Sequence, residues 1–215
     1  MKIGLISDTH SAGSGKDLPS QVLHAFAGVD LILHCGDLEC LGVLDVLESV
    51  APVLAVRGYE DPIEPGERLA RTTRVVQVED VAIGMIHDIQ WPGPHVGTGA
   101  NGDYLHFPAG SAKDLLTRKF QQSVDVVVFG DTHEELICLR DGVLLVNPGS
   151  PTYPGRRHHP GSLGTVGLLE VQGATASVSL VKLTGRKVAG NLGPSTGSRR
   201  KLGTGYGICT NVKDG

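Results

Sequence analysis

The chain has 215 residues, of which 40% are hydrophobic, and a formal net charge of −4, which suits one domain, or one domain with a tail. The mildly acidic balance excludes the basic field that nucleic acid or an anionic membrane would require. No apolar run approaches the ~20 residues of a membrane-spanning helix.

The chain opens directly on a strand pattern with no signal peptide, so a cytoplasmic protein is expected. Its cysteines, Cys35, Cys40, Cys138 and Cys209, contain no C-x-x-C pair, and reduced thiols are expected rather than disulfides. The run Ile3-Gly4-Leu5-Ile6 reads as a strand buried on both faces. It ends in Ser7-Asp8-Thr9-His10. An acid and an imidazole two apart at the end of a buried strand can hold a metal above a sheet. Taken alone, the same residues also fit a polar turn.

Helical spacing of Leu18, Val22, Leu23, Ala25 and Phe26 predicts a helix over 17–28, with Asp17 as N-cap, Pro19 in the first turn and Gly28 at the end. A second strand, 29–35, runs into Gly36-Asp37. A helix over 39–50 and a third strand, 52–56, follow, and the strand leads to Arg57-Gly58-Tyr59-Glu60-Asp61. This rhythm implies parallel strands joined by helical crossovers. Residues 74–78 and 81–86 read as a hairpin delivering His87-Asp88. The stretch 89–109 holds the only tryptophan, Trp91, and reads as a long irregular loop, a partial lid over a cleft. A helix over 111–122 precedes an apolar strand, 124–129, which ends in Gly130-Asp131-Thr132-His133. Strands at 135–140 and 142–146 flank a tight Asp141-Gly142 turn, and Asn147-Pro148-Gly149-Ser150 follows. A loop with Arg156, Arg157, His158 and His159 leads to strands near 164–171 and 175–183. From Gly185 the composition shifts to Gly, Ser, Thr, Lys and Arg. Residues 185–215, with the run Arg199-Arg200-Lys201, are expected to be a mobile tail without its own core, leaving a folded domain over 1–184.

Polar residues therefore punctuate five strand ends: Asp8/His10, Asp37, Tyr59/Asp61, His87 and Asp131/His133. They should converge at one edge of the sheets. Carboxylates gathered this closely repel one another, and divalent cations neutralise them. Paired ions of this kind serve phosphoryl transfer.

Asp8-Thr9-His10, Gly36-Asp37, Arg57-Gly58-Tyr59-Glu60-Asp61, His87, Gly130-Asp131-Thr132-His133 and Asn147-Pro148-Gly149-Ser150 together resemble the calcineurin-like metallophosphoesterase superfamily, in particular its small single-domain bacterial and archaeal phosphodiesterase branch. The resemblance covers about residues 1–183. It implies an α/β fold, a four-layer α/β/β/α sandwich of two mixed sheets flanked by helices, with two divalent ions. One ion would take Asp8, His10, Asp37 and His133; the other would share Asp37 and add His87 and Asp131. The expected ion is Mn²⁺, with Mg²⁺, Fe, Zn²⁺ or Ni²⁺ as alternatives, and water held at the ions would attack phosphorus. A phosphodiester is the preferred substrate, a monoester the next. Tyr59 would bind phosphate or only pack, and Arg156, Arg157 or the loop histidines would clamp the substrate phosphate.

The chain departs from the family pattern at Tyr59 (usually Asn), Asp131 (usually His) and Asp88 (usually Gly). Glu60 stands where larger relatives carry a histidine acid. These changes gather at the second ion, where binding should be weaker. The alternative is a catalytically weakened scaffold for protein–protein binding, as in a retromer subunit of this family. The oligomeric state, a homo-oligomer included, is left open.

Overall fold

The computed structural model describes residues 1–11, 13–63, 66 and 68–184, together with the backbone of 209–211. Strands β1 (Lys2–Ile6), β2 (Leu31–His34) and β3 (Val53–Ala55) alternate with helices α1 (Ser20–Ala25) and α2 (Gly42–Glu48). Then come β4 (Thr73–Val78), β5 (Val81–Ile86), β6 (Gly97–Thr98), β7 (Leu105–Phe107), α3 (Ala112–Phe120) and β8 (Val126–Val128). Strands β9 (Leu136–Arg140), β10 (Val143–Asn147), β11 (Thr165–Gln172), β12 (Thr175–Lys182) and β13 (Cys209–Asn211) complete the order.

Two mixed five-stranded sheets form the body, with orders β12-β11-β1-β2-β3 and β4-β5-β8-β10-β9. In the first, β1, β2 and β3 run parallel, while β11 and β12 are antiparallel. In the second, β5, β8 and β10 run parallel, with antiparallel β4 and β9 at the edges.

Side-chain alternation along the strands sorts the core into three layers. Ile3, Leu5, Leu31 and Leu33 from one sheet meet Ile83, Met85, Val126 and Val128 from the other between the sheets. Ile6 and Ile32 face the opposite way, under Val22, Phe26, Val43 and Leu47. Val127 and Leu145 do the same under Leu115, Leu116 and Phe120 of α3. Helix, sheet, sheet and helix are thus stacked in that order, with short helices.

Each outer layer is closed by a phenylalanine lying on a glycine. A Cβ on Gly4 would come within 2.8 Å of the Phe26 ring, and one on Gly84 within 2.9 Å of the Phe120 ring. The glycines of these two strands therefore let helix and sheet approach closely.

The elements read from the sequence are all present, with trimmed ends. Helix α1 starts at Ser20 with Pro19 at its N-cap position and no side-chain cap. Asp17 does not cap it, because its carboxylate accepts from the Ser11 hydroxyl instead. The stretch 89–109 is less irregular than expected. It contains β6 and β7, paired antiparallel, with β13 running parallel to β7 as a small third sheet. The expectation for 185–215, its basic run included, lies outside the described residues apart from that short strand. Cys35 and Cys40 are free thiols, whereas Cys138 is disulfide-bonded, contrary to the expectation of thiols throughout. No helix among the described residues is long and apolar enough to cross a membrane.

Candidate metal centre

The parallel strands deliver their C-terminal ends to one edge of the sandwich. Asp8 and His10 follow β1, Asp37 follows β2, His87 follows β5, and Asp131 and His133 follow β8. Asp8, His10, Asp37, Asp131 and His133 all have positive φ, between 41° and 70°. Left-handed backbone at non-glycine residues is uncommon and gathers where function holds it. The Asp-Thr-His triplet occurs twice, once per sheet, and in both copies the aspartate and the histidine take this conformation.

The two triplet loops touch. Asp131 N–H donates to Asp8 Oδ1 at 3.1 Å. Gly130 makes this approach feasible, since a Cβ there would lie 1.9 Å from Ser7 Oγ and 2.6 Å from Asp8 Oδ2. On the other flank a Cβ on Gly58 would lie 2.2 Å from Asp37 Oδ1.

Two groups of metal-ligating atoms form around Asp8, each with its members within 4.8 Å of one another: Asp8, His10 and His133, and Asp8, Asp37 and His87. Asp8 is common to both, whereas Asp37, expected as the bridge, belongs to one. Asp131 stands beside the second group, its Oδ1 3.9 Å from His87 Nε2.

Each histidine is pinned through Nδ1. His10 Nδ1 meets Glu39 Oε1 at 2.7 Å, His87 Nδ1 meets the Cys35 carbonyl at 2.8 Å, and His133 Nδ1 meets the Tyr153 carbonyl at 2.7 Å. A carbonyl only accepts, so Nδ1 carries the proton in His87 and His133, and a neutral ring then offers a bare Nε2. This is the outer-shell arrangement that orients metal-binding imidazoles.

His10 Nε2 and His133 Nε2 lie 3.1 Å apart. Bare nitrogens at that distance repel unless a proton or a metal ion lies between them, and the separation suits two ligands bonded to one ion at about 2.1 Å. Asp8 is fully buried, and its Oδ2 has no hydrogen-bond partner. A buried carboxylate oxygen left alone is costly unless a cation meets it. The residues present therefore fit divalent metal.

The electrostatics agree. Burial raises the Asp8 carboxyl above its ordinary value. Burial, then the neighbouring Asp88, raises Asp131 to about 6. Burial also pushes Asp37 upward, but the hydrogen bond and charge of His87 outweigh it and hold Asp37 at about 2. Burial lowers His87, yet Asp37 and Asp8 raise it to about 9. An uncompensated carboxylate cluster thus draws a proton onto His87, 3.1 Å from Asp37 Oδ2, and a bound cation would replace that proton.

Asp61, read as one of the converging acids, has another task. Its oxygens accept from the backbone N–H groups of Asp37, Leu38, Glu39 and Gly58, at 2.7–3.0 Å, and so fix the loop that presents Asp37. Ser150 and Thr152 secure the first triplet from its backbone, through the Asp8 and Thr9 carbonyls at 2.7 Å each. Asn147 Nδ2 donates to the Gly130 carbonyl at 3.0 Å. Glu39 and Tyr153, which hold His10 and His133, do not stand out in the sequence. Glu39 follows Asp37 by two residues, the spacing of Asp8 and His10, and that spacing is the signal that points to it.

Tyr59 and Asp88, both departures from the family pattern, pair with each other: the Tyr59 hydroxyl donates to Asp88 Oδ2 at 2.6 Å. That bond, with partial burial, raises the phenol above its usual range and keeps it neutral. Arg156 lies on a cavity beside His133, its guanidinium on Asn101 Oδ1 at 2.9 Å. Arg157 pairs with buried Glu134 at 3.1 Å, and His158 with Glu135 at 3.2 Å, so these two brace the loop.

Comparison with known proteins agrees with this geometry. The chain is 36% identical over 154 residues to a probable metallophosphoesterase of Methanocaldococcus jannaschii, covering 72% of this chain and 70% of that one. It is 28% identical over 166 residues to a phosphodiesterase of the same organism, covering 69% and 83%. Its fold is shared with zinc-complexed Vps29 of Entamoeba histolytica, at a TM-score of 0.62 and 21% identity, covering 94% of this chain and 99% of that one. Residues 1–174 match the calcineurin-like phosphoesterase superfamily domain, and the chain belongs to that superfamily.

Proposed function

We propose that the protein is a metal-dependent phosphodiesterase whose two cations are held by Asp8, His10, Asp37, His87, Asp131 and His133. The observation that carries this reading is the facing pair of imidazole nitrogens, His10 Nε2 and His133 Nε2, 3.1 Å apart beside the unpartnered, buried Asp8 Oδ2. Divalent ions, when bound, activate water at neutral pH and offset charge on the phosphate oxygens. The protein's own part is positional. Glu39, the Cys35 carbonyl and the Tyr153 carbonyl fix the three rings, and Asp61 fixes the loop of Asp37. Hydrolysis forms one P–O bond to water and breaks one ester P–O bond, releasing an alcohol and a monoester.

A diester is preferred over a monoester because the centre opens on two cavities, one beside His133 of about 840 Å³ and one beside His87 of about 440 Å³. A diester has one arm for each. Arg156, which lines the larger cavity, would meet the phosphate or the arm held there. The carboxylate-rich second group favours harder ions, Mn²⁺ or Mg²⁺, over Zn²⁺. The scaffold alternative does not require the retained, pinned histidines.

The test is metal analysis of the purified protein, followed by hydrolysis of bis(p-nitrophenyl) phosphate and p-nitrophenyl phosphate with added Mn²⁺. The expected result is Mn²⁺-dependent turnover, faster on the diester. A protein that binds no divalent ion and cleaves neither ester would overturn the proposal.

A further inference from the structure

Among the described residues, the large hydrophobic side chains most open to solvent are Met1, Tyr59, Ile63, Trp91, Leu139 and Tyr153. Three of them, Tyr59, Ile63 and Trp91, line one cavity beside His87 and are 66%, 83% and 60% exposed. Exposed apolar residues scattered singly need no explanation, but a cluster around one concavity marks a binding surface. Its polar lining is Arg57, Asp61, Thr72 and the His87–Asp88 corner.

Both aromatic rings are already held. Tyr59 is anchored by its hydroxyl on Asp88 and sets its ring edge-on to His87, centroids 5.5 Å apart at 82°. Trp91 meets His95 edge-on at 4.1 Å and 65°. Rings fixed before a ligand arrives lose little freedom on binding it. Aromatic walls favour a flat ring over an alkyl chain, because a ring can stack on them while an alkyl group gains only contact area. The larger cavity has one of the exposed aromatic side chains, Tyr153, on its lining, beside Thr98, Asn101, Thr132, Arg156 and His158.

From these observations we infer that the Tyr59–Trp91 cavity is the subsite for a flat aromatic group esterified to the phosphate, a nucleobase-bearing or simple aryl arm. The inference deepens the phosphodiesterase reading and rests on it: the arm lies on the His87 side of the metal centre.

The test uses Mn²⁺-loaded protein and non-hydrolysable probes. Because Trp91 is the only tryptophan, its fluorescence reports this cavity directly. Phenylphosphonate should shift or quench that emission and bind about tenfold more tightly than methylphosphonate, a stacking-sized difference. By calorimetry, Trp91→Ala should bring the two phosphonates within about twofold of one another, and Trp91→Phe should restore the preference. Equal binding of phenyl- and methylphosphonate to the wild type, or a preference that survives Trp91→Ala, would overturn the subsite while leaving the hydrolase reading intact. Failure of both phosphonates to bind would overturn the hydrolase reading and the subsite with it. An adenosine phosphonate distinguishes the two sources. Tighter binding than phenylphosphonate with the same dependence on Trp91 assigns the ring to a nucleobase, and weaker binding assigns it to a simple aryl group.

Discussion

The two flanks of the metal centre both draw on the two copies of the triplet and come out different. On the His133 side, one carboxylate and two imidazoles meet at a partly open position, and the adjoining cavity is the larger of the two. On the His87 side, Asp8, Asp37 and His87 are all buried, Asp131 stands alongside, and the adjoining cavity is smaller and aromatic. In the proposed reading, ligand chemistry and arm recognition are divided along one axis. The nitrogen-rich flank suits softer ions and the oxygen-rich flank harder ones, while the two cavities, unlike in size and in their exposed aromatic rings, would suit unlike ester groups. Among the described residues, Asp8 is the carboxylate common to both flanks.

The largest expected effect therefore belongs to Asp8. Asp8→Asn should lower turnover by about a thousandfold or more and deplete both ions, as expected for loss of a shared charge-stabilising ligand. Asp37→Asn should deplete the His87-side ion and leave the other. The measurement is metal stoichiometry beside kcat on a chromogenic diester. If Asp37→Asn empties both positions and Asp8→Asn only one, Asp37 is the shared ligand and Asp8 is not.

The glycines offer a structural way to break the comparison. Gly130→Ala would drive a methyl into Ser7 and Asp8, with only 1.9 Å to the Ser7 hydroxyl. Gly58→Ala would meet Asp37 Oδ1 at 2.2 Å. Each should cost about 1–3 kcal/mol of stability, the usual scale of overpacking. Gly130→Ala should weaken both ions, because it displaces Asp8, and Gly58→Ala only the His87-side ion. Thermal melts with and without Mn²⁺, paired with metal titrations, separate these outcomes. Equal loss from both variants would show that the flanks move as one.

Asp131 sharpens the contrast in ion preference. Its carboxylate, raised to about 6 by burial and then by Asp88, faces His87 across 3.9 Å. Asp131→Asn should weaken the His87-side ion by roughly ten- to a hundredfold, the range for loss of a ligand or its close support. Asp131→His should shift that position toward Zn²⁺. Titration of metal-stripped protein with Mn²⁺ and Zn²⁺ reads both effects. Asp131→Ala that holds two Mn²⁺ as tightly as wild type would remove it from the ligand set.

Much of this contrast is legible in the amino-acid sequence. Apolar runs ending in Asp or His mark the parallel strand ends, because burying such groups within a strand is costly unless they find partners, as His34 at the end of β2 does in Thr9 and the Gly36 N–H. The triplet Asp-Thr-His marks both loops. What stays hidden depends on contacts between distant segments. Asp61 reads as one more acid at a strand end, and only the fold shows its oxygens used on four backbone N–H groups. That Asp8 stands in both groups of ligating atoms reflects how closely the loop of Gly130 packs on it. The pairing of Tyr59 with Asp88, 29 residues apart, has no local signature.

That pair gives the smallest and most specific test. Tyr59 replaces an asparagine of the family pattern, and a ligand at that position would leave the His87-side ion dependent on it. The geometry argues otherwise. The hydroxyl donates to Asp88 Oδ2 at 2.6 Å, and the phenol is held neutral. A neutral phenol whose proton is committed to a carboxylate is a poor cation ligand, so the ring is a cavity wall. Tyr59→Phe keeps the wall and removes the donor. It should leave both ions bound with Kd within about twofold of wild type and cost about 1 kcal/mol or less, the net value of one hydrogen bond at a largely exposed ring. Asp88 is buried and, among the described residues, keeps the Gln90 N–H as its remaining hydrogen-bond donor, at 2.7 Å, so the lost stability should reappear in Tyr59→Phe/Asp88→Asn as a coupling between the two positions. Calorimetric Mn²⁺ titration and a double-mutant cycle on thermal stability read both quantities. Loss of one ion in Tyr59→Phe would make the phenol oxygen a ligand and would move Tyr59 from the aromatic cavity into the metal centre itself.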